Sequence, residues 1–452
     1  MLEMVRVKRW IIYLLENNGY LHPESFTKLA QKHSQIFGLI FRTLRYRNYR
    51  LFFAGQCISL IGTWMQQIAL SWLVYRLTDS VFLLGIVGFA VQFPIFLFSP
   101  LAGVFSDRWN RHRTLVLTQA LSMLQALTLA VLVLTGTIAI WHIILLGLFL
   151  GCVNALDIPT RQSFVIHMIE DKKDLGNAIA LNSAIFNGAR FVGPSLAGVL
   201  IAVVGEGICF LLNGISYIAV IAALLSMNAS RLAPEKKSTN IFHELKEGLN
   251  YAFDFKPIRF ILLLLALTSF MGVPYVVLMP AFARDILHGG PHTLGFLMSA
   301  AGAGALMGSI YLAARKSILG LGRIIPLSSG IFGAGLIGLS LSPVFWLSLL
   351  LMAIIGFGIM VHVASSNTLL QTIVEDNKRG RVMSFFAVSI IGMAPLGSLM
   401  AGTLAGMIGI TTTIMFGGIC CIVGAIFFAR KLSLLRSIIR PIYADKGIIN
   451  PD

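Results

Sequence analysis

Apolar residues in this chain fall into blocks of about 20, the length a helix needs to cross a bilayer's hydrocarbon core. Short polar strips rich in Lys and Arg separate them. The pattern predicts spans near Leu51 to Tyr75, Phe82 to Phe105, Thr114 to Gly136, Ile138 to Phe164, Asn177 to Ala202 and Gly207 to Met227. Six more follow near Pro257 to Phe282, Thr293 to Ala314, Arg323 to Leu341, Val344 to Leu370, Val382 to Met407 and Thr411 to Ala429. The expected chain is therefore an all-α integral membrane protein of twelve transmembrane helices in two six-helix halves. Its expected parts are a basic N-terminal segment (1–50), a first half (51–227), a linker (228–256), a second half (257–430) and a tail (431–452).

Charge sets the expected orientation, because cytoplasmic strips are enriched in Lys and Arg. Placing both termini and the linker in the cytoplasm puts all but three of the 35 basic residues on that side. Arg76 and Arg284 fall outside, and Arg190 lies within a span. The stretch Phe26 to Arg50 alternates Phe37, Ile40, Phe41 and Leu44 with Arg42, Arg45, Arg47 and Arg50. It reads either as a basic amphipathic segment on the inner membrane surface or as an ordinary positive flank. The only apolar run before it, Trp10 to Leu15, is too short for a signal peptide, so the first span is expected to start insertion itself.

Composition narrows the function classes. With 57% hydrophobic and only 12% charged residues, the chain is far from the roughly 25% charge of soluble domains. Its net charge of +16 is spread over topology-setting strips, so nucleic acid is not an expected partner. The lipid bilayer is. Cys57, Cys152, Cys209, Cys420 and Cys421 each sit in an apolar stretch without a C-x-x-C pair, which supports neither a disulfide framework nor a metal site. No H-E-x-x-H, nucleophile elbow or P-loop is present, so neither an enzyme nor a cofactor is expected.

After the second span, Gly103, Asp107, Arg108 and Arg111 match the pattern G-x-x-x-D-R-x-x-R, and Arg113 follows two places later as a further basic residue. Glycine lets two helices approach, and Asp107 can pair with an Arg or face a positive helix N-terminus. Position and pattern resemble the gating loop of the major facilitator superfamily. Arg47 to Gln56, Gly62 to Met65, Asp157 to Gln162, Asn177 to Ser183 and Asn187 to Gly198 further resemble the branch containing the enterobactin exporter. The resemblance implies a siderophore or drug exporter of a bacterial inner membrane. Within it, Gly193, Pro194 and Gly198 resemble the fifth-helix motif associated with antiporters. Ala189, Gly193 and Ala197 form a small-residue stripe, and Ala300, Gly304 and Gly308 on the eighth span make a matching one. The fold so implied packs these two helices against each other across the halves.

Charge inside a membrane is costly and is a functional candidate by default. Asp157 and Arg161 are four apart on one helical face and are expected to pair. Arg190 stands thirteen residues into its span, roughly 20 Å deep at 1.5 Å per residue. It is expected either to bind an anionic substrate group or to serve structure by reaching Asp157 or capping carbonyls near Pro194. Trp64, Gln67, Asn154, Asn187, Asn213 and Tyr217 complete the expected substrate pathway, and His142 and His362 are weaker proton-carrier candidates. The loop from Gly308 to Arg323 lacks a carboxylate and the first span has no acid, which leaves protons an open choice as coupling ion. The reading is a secondary exporter of a small amphipathic molecule working by alternating access; an importer on the same fold and a non-transporting sensor are the alternatives.

Overall fold

The computed structural model describes residues 42–227, 254–315, 317–375 and 378–449; for 99–108, 167 and 172 it describes the backbone alone. Most of the expected N-terminal segment and the linker from 228 to 253 lie outside the described residues. The first half holds α1 (Arg47–Thr78), α2 (Val81–Arg108), α3 (Arg111–Leu134), α4 (Ile140–His167), α5 (Leu175–Val204) and α6 (Glu206–Leu225). The second holds α7 (Lys256–Ile286), α8 (Pro291–Ala313), α9 (Leu321–Ser340), α10 (Phe345–Ile373), α11 (Arg379–Ile408) and α12 (Ile410–Arg430). A further helix, α13 (Leu432–Asp445), follows at once. All twelve earlier helices are long and apolar enough to span a membrane, and no strand occurs among the described residues.

Local chemistry explains where these helices stop. Asn110 caps α3 by accepting a hydrogen bond from the Arg113 amide at 3.1 Å. Gly205 and Gly409 each end one helix and begin the next, with φ of 82° and 89° and extended ψ, a backbone state open essentially to glycine. Their equivalent places, between α5 and α6 and between α11 and α12, show the two halves repeating one plan. In the first half α1 packs on α5 and α6, α2 on α4, and α3 on α4 and α6; the second half repeats these pairings six helices later. Two helices depart from regular α geometry. Alpha-helical turns in α7 give way to π turns at Thr268–Gly272 and Phe282–Ile286, flanking the prolines Pro274 and Pro280, and α11 has one at Val388–Gly392. Missing amide donors and wide turns loosen the ladder there.

At one end of the bundle lie both described chain ends and most of the basic residues; this is the basic end, and the opposite one is the far end. A short turn, Arg42–Arg45, ties the chain to the α4–α5 connection at the basic end. Buried Asp174 receives Arg42 at 2.9 Å, Arg45 at 2.7 Å and the Tyr46 hydroxyl at 2.8 Å. The Tyr46 oxygen also accepts from Arg45 and thereby raises the pKa of that guanidinium.

The halves meet along α5–α8 and α2–α11, each crossing built on a glycine pair. A β-carbon on Gly295 would lie 2.5 Å from the Pro194 carbonyl oxygen and 2.8 Å from the Gly198 Cα. One on Gly85 would lie 2.8 Å from the Ser398 carbonyl oxygen and 2.9 Å from the Gly402 Cα. A β-carbon on Gly302 would likewise lie 2.5 Å from the Arg190 carbonyl oxygen. The stripe expected on the eighth span is thereby corrected. Gly304 and Gly308 back onto Ala353 and Phe357 of α10, because a residue two positions beyond Gly302 points to the opposite side of a helix. Gly295, Ser299 and Gly302 face α5 instead. On α5, Gly198 lies in the crossing, whereas Gly193 packs against Trp64 of α1.

These crossings belong to the far half of the bundle. At its basic half, β-carbons on Gly176 and Gly188 of α5 and on Gly380 of α11 would meet no heavy atom within 4 Å. Gly295→Val should therefore force α5 and α8 apart at an overpacking cost of about 1–3 kcal/mol. Lower thermal stability of the purified protein is the expected result, with Gly188→Val unchanged as the control.

Candidate functional site

Two polar contacts join the halves at the far end, and a third lies beside them. The Tyr75 hydroxyl of α1 bonds Asp285 of α7, joining the halves, and Arg284 pairs with Asp79 at 2.6 Å beside it. Arg76 pairs with buried Glu206 at 2.7 Å within the first half. Thus the two arginines that depart from the basic-end bias are both neutralised by carboxylates.

Deeper in, α1, α5, α7 and α8 converge around Arg190. Its backbone forms part of the α5–α8 crossing, while its side chain is enclosed by protein yet keeps accessible surface. The guanidinium lies 5.7 Å from the Trp64 ring centroid, within cation–π range, and Tyr275 of α7 is close enough to act on it electrostatically. Phe186, one turn earlier on α5, meets Trp64 edge to face at 5.6 Å. Among the described residues no carboxylate or hydrogen-bond acceptor engages Arg190. Asp157 is fully committed elsewhere. The arrangement is an unneutralised planar cation in an aromatic frame at the junction of the halves, able to grip a carboxylate or similar fork-shaped anion with two hydrogen bonds.

Asp157 anchors a separate network inside the first half. Its Oδ1 accepts from the Thr118 hydroxyl and the Gln119 amide, each at 2.8 Å, and its Oδ2 faces Arg161 at 3.3 Å. Arg161 continues to the Gln56 side-chain Oε1 at 3.2 Å, tying α1, α3 and α4 together. A second ladder joins Asn213 to Gln66 at 2.7 Å and Gln66 to Gln125 at 2.9 Å, with Tyr217 in reach of Thr63, Ser122 and Asn213. Asn213 and Tyr217 are thus buried in hydrogen bonding between α1, α3 and α6 and do not join Arg190. Asn187 is buried and donates to the Ser183 carbonyl of its own helix at 2.9 Å. Gln67 is exposed on the Trp64 face of α1, and Asn154 is half-buried on α4.

For the gating motif, the helices on both sides of the loop are in place, but the side chains of Gly103, Asp107 and Arg108 lie outside those described. Arg111 begins α3, and Arg113, two residues later, is exposed. His142 bonds the Ala139 amide at its helix start, a local cap. His362 is fully buried between the Thr268 hydroxyl and the Ile325 carbonyl oxygen, each at 3.1 Å. Since that carbonyl only accepts, Nδ1 carries a proton. Sequence reading missed Phe186, Tyr275, Gln66 and the Tyr75–Asp285 contact; the polar residues among them were visible as isolated polar groups within apolar spans.

Known proteins extend this picture. The family described as transmembrane secretion effector matches residues 40–438. The staphyloferrin A transporter of Staphylococcus aureus is 30% identical over 398 residues, covering 85% of this chain and 97% of that one. Macrolide efflux protein A of Streptococcus pyogenes is 23% identical over 84% of this chain and 96% of its own. Among solved structures, a bacterial homologue of the iron transporter ferroportin in an inward-facing state shares the fold with a TM-score of 0.65 at 15% identity, covering 86% of this chain and 99% of that one.

Asp157→Ala should strand the Thr118, Gln119 and Arg161 donors, and an unmet buried donor costs about 1–3 kcal/mol. The expected result is a clear fall in thermal stability, with Asp157→Asn intermediate because one carbonyl oxygen still accepts.

Proposed function

Because this chain belongs to the transmembrane secretion effector family of the major facilitator superfamily, a group of multi-pass bacterial membrane transporters, we propose that it exports small amphipathic anions by alternating access. Siderophore-like molecules carrying carboxylate, catecholate or hydroxamate groups fit best. The observation that carries this reading is Arg190, a membrane-embedded guanidinium without a counter-ion among the described residues, framed by Trp64, Phe186 and Tyr275. An anion on the substrate would supply the missing charge, and the rings would cover its apolar part. The relatives named as a siderophore transporter and a macrolide efflux protein are consistent with such cargo.

In this reading both termini are cytoplasmic and the basic end faces the cytoplasm, so contacts that join the halves at the far end support an inward-open state. Substrate enters from the cytoplasm, reaches Arg190, and leaves after the far-end contacts part and the basic end closes. Closure brings the motif of Gly103, Asp107, Arg108, Arg111 and Arg113 into play as a conformational restraint. An ion gradient drives the cycle, and protons are one candidate for the coupling ion.

Deleting the gene and comparing spent medium with and without iron tests direction and cargo together: loss of one secreted iron chelator supports export, and unchanged medium overturns it. Arg190→Lys keeps the charge but loses the planar fork, so transport should weaken about tenfold at unchanged protein level, the effect of one charge-assisted hydrogen bond of about 1.5 kcal/mol. Normal transport by the Lys variant would assign Arg190 to structure. Ser238→Cys, in a background lacking the five native cysteines, should resist impermeant thiol reagents in intact cells; ready labelling would reverse the orientation.

A further inference from the structure

α13 leaves the bundle after a single residue, Lys431, so it lies beside the mouth of the second half at the basic end. Leu435 and Ile439, four apart, turn one face of it inward and are buried. Between α13 and the ends of α7, α9, α10 and α12 a cavity of about 380 Å³ is left open, within the roughly 300–1,000 Å³ usual for ligand sites. Its apolar wall includes Ile261, Leu369 and Phe428 as well as Leu435 and Ile439. Arg323, Arg436 and Arg440 also line it, and no carboxylate among the described residues does. Among the described residues Arg323 and Arg436 have neither an ion pair nor a hydrogen-bond partner.

Topology accounts for positive charge at this end, but it does not account for an apolar slot with guanidiniums set around it. We propose that the cavity is a binding site for an anionic phospholipid, with its phosphate held by Arg323 and Arg436 and an acyl chain lying on Ile261, Leu369 and Phe428. Position favours a lipid over a soluble anion, since α13 follows directly on the basic end of a membrane-spanning helix, where headgroups are expected, with Leu434 exposed. Bound there, the lipid joins α13 to α7, α9, α10 and α12 and fixes the tail to the second half. The site is separate from Arg190 and does not depend on what the protein carries.

Native mass spectrometry of the purified full-length protein tests this with phosphatidylglycerol, phosphatidylcholine of the same acyl chains, and inorganic phosphate. Phosphatidylglycerol should bind at least about tenfold more tightly than phosphatidylcholine, and inorganic phosphate should not compete at matching concentration. The double variant Arg323→Gln/Arg436→Gln should reduce that preference to less than about twofold. Gly322→Leu, which fills the cavity and keeps every charge, should lower phosphatidylglycerol binding by a similar factor; elution volume and lipid-free melting temperature would show both variants folded. Equal binding of the two lipids, displacement by inorganic phosphate, or wild-type lipid binding by folded Gly322→Leu would each overturn the proposal.

Discussion

Between helices in a bilayer there is no hydrophobic drive to associate, because lipid tails are as apolar as the side chains they would leave. What holds two half-bundles together is close backbone approach, and here that approach rests on Gly85 with Gly402 and Gly198 with Gly295. Their positions fix much else. The α5–α8 crossing places the Arg190 backbone against Gly302 and so sets its side chain at the meeting point of four helices. Moving the crossing by one residue would turn the guanidinium about 100° around its helix.

The two halves share a plan but differ in their interiors. Carboxylate, guanidinium and amide groups form continuous networks in the first, running from Asp157 and Arg161 to Gln56 and from Asn213 to Gln125. In the second, the described interior offers hydroxyls and one imidazole, with the Ser329, Ser365 and Ser366 side chains left without hydrogen-bond partners. Buried polar networks rigidify the elements they connect. The first half is thus built as a stiff body, whereas π turns in α7 and α11 put looser backbone into the second.

Much of this fold was legible because span length and charge bias are properties of whole segments. All twelve spans lie where apolar blocks predict them, within a few residues at each end. The Asp157–Arg161 pair followed from helical spacing alone. Detail that depends on rotation about a helix axis was not legible. Gln66 is buried in a network while its neighbour Gln67 is exposed, and nothing in an evenly apolar span marks which way either points. Likewise Gly304 and Gly302 look alike in sequence and face different helices. The tail helix was missed for another reason: Leu432, Leu435, Ile439 and Ile442 repeat at helical spacing, but the run is too short and too basic to register as a span.

The way the far end is closed has a consequence for what governs its opening. Asp79 and Arg284 are exposed, 69% and 43% respectively, and surface pairs of this kind contribute about 0–1 kcal/mol. The Tyr75–Asp285 bond aside, the closure therefore resides in the uncharged glycine crossings, whose strength comes from contact between backbones and from the lipid they exclude. Such a balance is little affected by ionic strength. It answers instead to the lateral pressure and thickness of the surrounding bilayer, so the same protein would cycle at different rates in membranes of different acyl-chain length.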